Sequence, residues 1–417
     1  MKKSNLLFWG ILGFVFVLLV VILVLIYFEI HRNSITYHGE SEDGTFSTSF
    51  IRESHKKMKH KNYMVSPYSV EIALSMLREG TDNDTKEEFD QVVPERKIKT
   101  LNVYDRVNVA NALFIKDIYK QDVLSQYTDI MKSEYNAEIL YDKFQTPDVI
   151  NNWAKQETNG MIKKVVDSMD SQFVIGLANA VAMEEDWKVP FDCKETKGYA
   201  FTKVDGSQFD TSMMFHSYVE DVSYFKYQDT EGVVIPYQTY DRVTGKESEE
   251  GEQLDFVGIL PKDMDQFLKT FDMDYLESGP DQAQPASEQF EVYVGLPRFE
   301  FDYDFKDFKN TLQDMGIQKV FTSDADLSLI LQNHKDAYVN DAIHKTYVKV
   351  NEKGTKAAAV TYFGIKDNAM PAEEKEYVSV IFDKPFAFII KDHNSHEILF
   401  FGVVYEPEKW DATKTCD

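Results

Sequence analysis

Cysteine is scarce in this 417-residue chain: Cys193 and Cys416 stand alone, with no Cys-x-x-Cys pair and no metal-like spacing to histidine. A disulfide between them is left open by the sequence. The nine histidines are scattered, and there is no His-Glu-x-x-His, no Gly-x-Ser-x-Gly and no phosphate-binding loop. An enzyme would have to use an unmarked residue such as Ser66 or His344, so neither a catalytic residue, a metal nor a cofactor is expected. Basic charge is also short. With 45 Lys and Arg against 70 Asp and Glu, the formal net charge is -25, which repels polyanions and argues against nucleic acid as a partner. No repeat runs along the chain, which excludes a solenoid.

Hydrophobic residues make up 43% of the sequence, with 30 Phe and 23 Tyr, ample for a packed core. From Leu6 to Phe28 no residue is charged. As a helix these positions would span about 34 Å, enough to cross a hydrocarbon layer. Lys2 and Lys3 precede the stretch, and Trp9 and Tyr27 lie near its ends, where amphipathic rings favour the interface. A cleaved secretion signal would have a shorter apolar core followed by small residues; here Tyr27, Phe28, Glu29 and Ile30 follow. Residues 1–28 therefore read as a transmembrane signal anchor and 29–45 as a polar linker. One body, 46–408, is expected outside the cytoplasm, with a tail over 409–417.

Within the body, helical and strand patterns alternate irregularly, as in a mixed α+β fold. Helices are predicted at Ser69–Leu77, with Val70, Ala73, Leu74 and Leu77 at helical spacing, and at Phe305–Met315. Strands are predicted at Val107–Ile115, Val174–Met183 and Phe290–Val294, the last leading to Leu296 and Pro297. Val233–Tyr237 and Leu254–Leu260 form a candidate hairpin across a polar, acidic insertion. Pro385–Lys391 and Ile398–Val404 read as a second, buried one.

The stretch with the most distinctive chemistry is Val348–Lys375. It begins as a strand, passes Gly354 and runs into Thr355, Lys356, Ala357, Ala358, Ala359, Val360 and Thr361. At a period of two, one face holds Thr355, Ala357, Ala359 and Thr361, all small. A strand sliding between two existing strands beneath packed helices must carry such side chains, because extra methylenes there overpack the core. By composition alone an Ala-rich helical turn or surface loop would also account for it.

The run from Val350 through Glu352, Gly354 and Thr355 to Ala359 resembles the hinge of the serpin family. Met64 to Ser69 resemble the family's Ser-Pro-x-Ser signature. Asn111 to Phe114, the Asn151, Asn152, Trp153, Glu157 to Gly160 stretch, Asn179 and Ala180, and Trp187, Pro190 and Phe191 follow in the family's order. Lys384 to Phe386 and Phe400 to Val403 complete a resemblance covering roughly residues 45–407. It implies a serpin fold: a large central mixed sheet, two further sheets, surrounding helices and an exposed reactive-centre loop. The chain then reads as a monomeric, membrane-anchored member of bacterial type.

The resemblance also implies roles. Glu352, Gly354, Thr355, Ala357, Ala358, Ala359 and Thr361 would form the hinge, and Ser66, Ser69, Asn179 and His344 the hydrogen-bonded shutter under the opening sheet. Trp187, Arg298 and Glu352 would form the breach at its top. The partner would be a serine protease, or a cysteine protease by the same acyl chemistry, trapped when the cut loop inserts as a new strand. Family spacing from Glu352 puts the cut bond at Asn368-Ala369. Lys366-Asp367 and Ala369-Met370 stay open as alternatives, since the 354–385 interval resembles the family's longer loops. Two departures stand out: Lys356 replaces a frequent acid, and Glu184 to Asp186 replace an aromatic, Gly-containing turn. A non-inhibitory serpin serving as an envelope binding or structural protein is the alternative reading.

Overall fold

In chain order the helices are α1 (Thr45–His55), α2 (Pro67–Arg78), α3 (Asn83–Val92), α4 (Ser125–Tyr135), α5 (Asp148–Glu157), α6 (Met264–Thr270), α7 (Met273–Ser278) and α8 (Phe308–Asp314). The first strands are β1 (Tyr63–Val65), β2 (Val107–Lys116), β3 (Glu138–Asp142), β4 (Ile175–Met183), β5 (Glu185–Asp186), β6 (Lys197–Thr202), β7 (Gln208–His216), β8 (Ser223–Tyr227) and β9 (Thr230–Pro236). There follow β10 (Leu254–Pro261), β11 (Gln284–Pro285), β12 (Phe290–Pro297), β13 (Phe299–Asp304), β14 (Lys345–Val350), β15 (Gly354–Thr355), β16 (Glu376–Ile381), β17 (Phe386–Asp392) and β18 (Ile398–Val404). This computed structural model describes residues 45–94, 107–171, 173–216, 221–239, 253–287, 290–333, 337–339, 342–355 and 376–413. The predicted span Leu6–Phe28 and the linker up to residue 44 lie outside the described residues. Among the described residues, no helix is long and apolar enough to cross a membrane.

The described strands fall into four ladders. A seven-stranded sheet runs β1-β18-β17-β10-β9-β8-β11, and a four-stranded one runs β16-β12-β7-β6. The other two, β3-β2-β4 and β13-β14-β15-β5, are joined through the chain itself, because only Glu184 separates β4 from β5. β2 and β3 are parallel while the remaining pairs of these two ladders are antiparallel; among the described residues the strands thus form four ladders, not the three sheets expected.

Both predicted hairpins form. β9 pairs β10 with Val233 opposite Gly258, and β17 pairs β18 with Phe388 opposite Gly402. Every residue of β10, β17 and β18 is buried, which is why these stretches are largely apolar rather than alternating; of the charged exceptions, Asp255 and Lys391 are buried together near Asp281. Helix α2 starts two residues before the predicted Ser69, because Ser66 caps it with its hydroxyl and Pro67 takes the first turn. Helix α8 starts three residues later than predicted. The Phe305 amide donates to His344 O at 3.0 Å, which commits that residue to the neighbouring strand connection rather than to a helical turn.

Candidate functional site

The site is built where β14 turns over into β15. Asn351 and Gly354 exchange backbone hydrogen bonds, and the Asn351 side chain accepts from the Lys353 amide at 3.0 Å, so the reversal is closed by its own residues. The returning pair Gly354-Thr355 then lies between β14 and β5, antiparallel to both, with Val350 and Glu185 on either side of Thr355. Gly354 has φ of +156°, and a Cβ there would stand 2.0 Å from Glu185 O. Only glycine lets the backbones meet this closely. The Glu184 to Asp186 segment, which departs from the family pattern, supplies that opposing edge.

Above the turn, Glu352 is 5% exposed and Arg298 8%. Arg298 donates through Nε to both carboxylate oxygens at 2.8 and 2.9 Å and through Nη2 to Oε1 at 2.6 Å. The Thr196 hydroxyl donates to the same Oε1. A buried carboxylate is tolerable only when so many donors converge on it. Trp187 closes the other flank. Its indole donates to Asn351 O at 2.9 Å, its amide donates to Lys353 O, and its ring stacks on Tyr237 at 4.6 Å between centroids. Tyr237 shares a 2.7 Å hydrogen bond with the Thr355 hydroxyl, which is 4% exposed. Burial pushes the Tyr237 phenol well above the usual tyrosine range.

Beneath this lies a polar chain running through the core. The Ser66 amide donates to His344 Nε2 at 3.0 Å and the Ser66 hydroxyl donates to Leu399 O at 2.7 Å. The Ser69 amide donates back to Ser66 Oγ, and the Ser69 hydroxyl donates to Asn179 Oδ1. Asn179 then donates to Asn111 Oδ1, and Asn111 to Tyr135 O, both at 2.7 Å. His344 packs against Phe50 and Phe308, and burial lowers its pKa to about 4. Because Nε2 accepts from Ser66, the imidazole is neutral with its proton on Nδ1.

The structure therefore brings Ser66, Ser69, Asn179 and His344 into one network, and Trp187, Arg298, Glu352, Gly354 and Thr355 into another. Ala357, Ala358, Ala359, Thr361 and the candidate bonds from Lys366 to Met370 lie outside the described residues. Sequence reasoning missed Tyr237, Thr196 and the bridging role of Asn111. Tyr237 ends a predicted strand and Asn111 sits in a quoted motif, but nothing local says what either side chain touches. Cys193 is disulfide-bonded, and the other cysteine of the chain, Cys416, lies outside the described residues.

The site thus joins a buried polar network to a short returning strand and a buried ion pair. A family model described as Serpin (serine protease inhibitor) matches residues 41–407, and the chain belongs to the serpin family. Human neuroserpin is 26% identical over 383 residues, covering 85% of this chain and 88% of that protein. The leukocyte elastase inhibitor of Bos taurus is 29% identical over 371 residues, covering 83% and 93%. An uncharacterised serpin-like protein of Thermococcus kodakarensis is 29% identical, covering 86% and 84%. Among solved structures, the native state of tengpin, a thermophilic serpin, matches with a TM-score of 0.69 at 25% identity, covering 87% of this chain and 93% of that one.

Proposed function

We propose that this serpin is a suicide-substrate inhibitor of proteases of the serine type, extending by the same acyl chemistry to cysteine proteases. The enzyme's nucleophile attacks the carbonyl of Asn368, and Ala369 leaves as a new amino terminus while Asn368 stays esterified. Insertion of residues 355–368, on the order of 45 Å when extended, then carries the acyl-enzyme away before water can release it. Catalytic geometry fails when displaced by about 1 Å, so the trap is kinetic and asks no catalytic side chain of the serpin.

The observation that carries this reading is the position of Gly354-Thr355. The strand enters between β14 and β5, antiparallel to both, with Thr355 buried. The small residues Ala357, Ala359 and Thr361 continue the Thr355 face at strand period. Relatives that are inhibitors by name, such as the leukocyte elastase inhibitor, support the same reading. We further propose that residues 6–28 anchor the chain, with the serpin body on the extracytoplasmic side.

Incubation with a panel of serine proteases tests the inhibitory reading. An inhibitor gives an adduct stable in reducing SDS and a clipped form that melts higher than the intact protein. Cleavage alone, without adduct and without gain in melting temperature, overturns it.

A further inference from the structure

The turn between β17 and β18 is built around a buried lysine. The Lys391 side chain is 3% exposed, yet its ammonium meets groups from three segments. Nζ donates to Asp281 Oδ1 at 2.8 Å in the segment after α7, stands 3.9 Å from Asp255 Oδ2 on β10, and lies 3.1 Å from His396 Nδ1 in the turn. Asp255 is as deeply buried as Lys391. His393 Nδ1 donates to its Oδ2 at 2.8 Å and the Gln253 side-chain amide to its Oδ1 at 3.1 Å. Asp392 folds the turn itself, accepting from the amides of Asn394 and Ser395 and from the Ser395 hydroxyl. Among the described residues the charged groups around the two histidines are thus Asp255 from β10, Asp281 from the segment after α7, Lys391 and Asp392 from β17, and Glu397 of the turn.

Both histidines are open to protons from solvent, His393 with 52% of its side chain exposed and His396 with 41%. One atom of His396 has two competing claims on it. Nδ1 is 3.1 Å from Lys391 Nζ and also 3.1 Å from Asp281 Oδ2. An ammonium only donates and an ionised carboxylate only accepts, so Nδ1 serves Lys391 as a lone pair or Asp281 as an N–H, never both. Asp281 Oδ2 is buried and, His396 apart, has no hydrogen-bond partner among the described residues. A buried carboxylate oxygen left without a donor is costly. The cluster is therefore one donor short whenever Nδ1 accepts from the lysine.

We propose that His396 is an acid-responsive clasp: when neutral its Nδ1 accepts from Lys391, and when protonated the same Nδ1 donates to Asp281 Oδ2, tying the β17–β18 turn to the segment after α7. The added proton supplies the donor that Oδ2 lacks, while Lys391 keeps Oδ1, so the two cations share one carboxylate. His393 acts in the same sense. Its hydrogen bond with Asp255 raises its pKa above the ordinary value near 6.5. Stability from that pair is complete below 6.5 and is lost as pH rises through the folded value. The turn is held more firmly in mild acid than in alkali, opposite in sign to His344. The clasp stands apart from the inhibitory reading and needs no protease to be seen.

Nitrogen-15 NMR of the full chain with labelled histidine tests the exchange of partners, with His396→Gln assigning the resonances. The His396 Nδ1 signal should be that of an unprotonated acceptor at pH 8 and of a protonated nitrogen at pH 5, with Nε2 protonated throughout. A proton resident on Nδ1 at both pH values overturns the exchange. Hydrogen exchange of peptides spanning 391–399, corrected for the intrinsic pH dependence and read relative to β12 peptides, measures the consequence. We expect the turn to be protected roughly threefold or more better at pH 5.5 than at pH 8, with that gain at least halved in His396→Gln and absent when His393→Gln is added. Equal protection at the two pH values, or an undiminished gain in His396→Gln, overturns the clasp.

Discussion

Tyr237, the residue after β9, and Thr355 of the returning strand share a 2.7 Å hydrogen bond that joins the seven-stranded sheet to β15. Tyr237 is itself clamped by Trp187 stacking, so the loop's starting point is held by an aromatic side chain whose position the core fixes. Removing that hydroxyl leaves the Thr355 hydroxyl buried beside a phenyl ring. Tyr237→Phe is expected to lower stability by about 1 kcal/mol and to speed exchange of the Thr355 amide, read by urea unfolding and hydrogen exchange.

Thr355→Arg places a long charged side chain where the native residue is 4% exposed, between β14 and β5. Burying that charge costs several kcal/mol, so β15 should be expelled from between β14 and β5 and the loop kept from seating there. The variant should be cleaved by a target protease with at least tenfold lower adduct yield than wild type. Quantified SDS gels check this, and an undiminished adduct would contradict loop insertion as the mechanism.

The Arg298-Glu352 pair is buried on both sides. Arg298→Met leaves a carboxylate without its main partner and should cost about 3–5 kcal/mol, whereas Arg298→Met combined with Glu352→Met should recover much of that loss. Denaturant unfolding of the two single variants and the double variant measures the difference.

His344 ties stability to acid. Its folded pKa is about 4, below the ordinary value near 6.5, so between those values the unfolded chain binds a proton that the folded one refuses. Stability is full above pH 6.5 and falls as pH drops toward 4, by about 3 kcal/mol from this group. Burial also lowers His55 and His216, which lose stability in the same direction. The profile of His344→Gln should therefore be flatter than wild type between pH 7 and 4.5 by about 2 to 3 kcal/mol. Chemical denaturation across that range checks it.

Gly354→Ala sets a methyl group 2.0 Å from Glu185 O. No side chain can yield there, since the obstacle is backbone, so β15 should leave β5. A fall in melting temperature with a red shift in emission from Trp187 is the expected result. An unchanged melting curve would show that the close approach does not hold in solution.

Much of the fold was legible because burial leaves a direct trace in sequence. The largely apolar runs that became β10, β17 and β18 read as buried hairpin strands, and every residue of them is buried. Ser66 and Pro67 start α2, although Ser69, also a plausible cap residue, offers the sequence a second start three residues on. At α8 the order reversed: Phe305 has helical spacing, but its amide is claimed by His344 O, a partner 39 residues away in the chain. Local pattern cannot register such competition.

The candidate site divides along the same line. Glu352, Gly354, Thr355, Arg298 and the Ser66, Ser69, Asn179 and His344 set were named from the resemblance, since a lone histidine or a lone arginine carries no signal by itself. Tyr237 and Thr196 were not named, because each acts on a residue far away in sequence and neither has a motif.

What the chain's order of residues determined unaided was the apolar runs of the buried strands, the small residues at alternate positions from Thr355 to Thr361 and the uncharged stretch from Leu6 to Phe28. These depend on properties each residue carries with it: size, polarity and backbone freedom. Tertiary structure alone decided that Gly354 meets the Glu185 backbone, that His344 is a neutral acceptor, and that one nitrogen of His396 lies between Lys391 and Asp281. Those are facts of close approach between distant segments, where desolvation and hydrogen-bond geometry take their values only after the chain has folded.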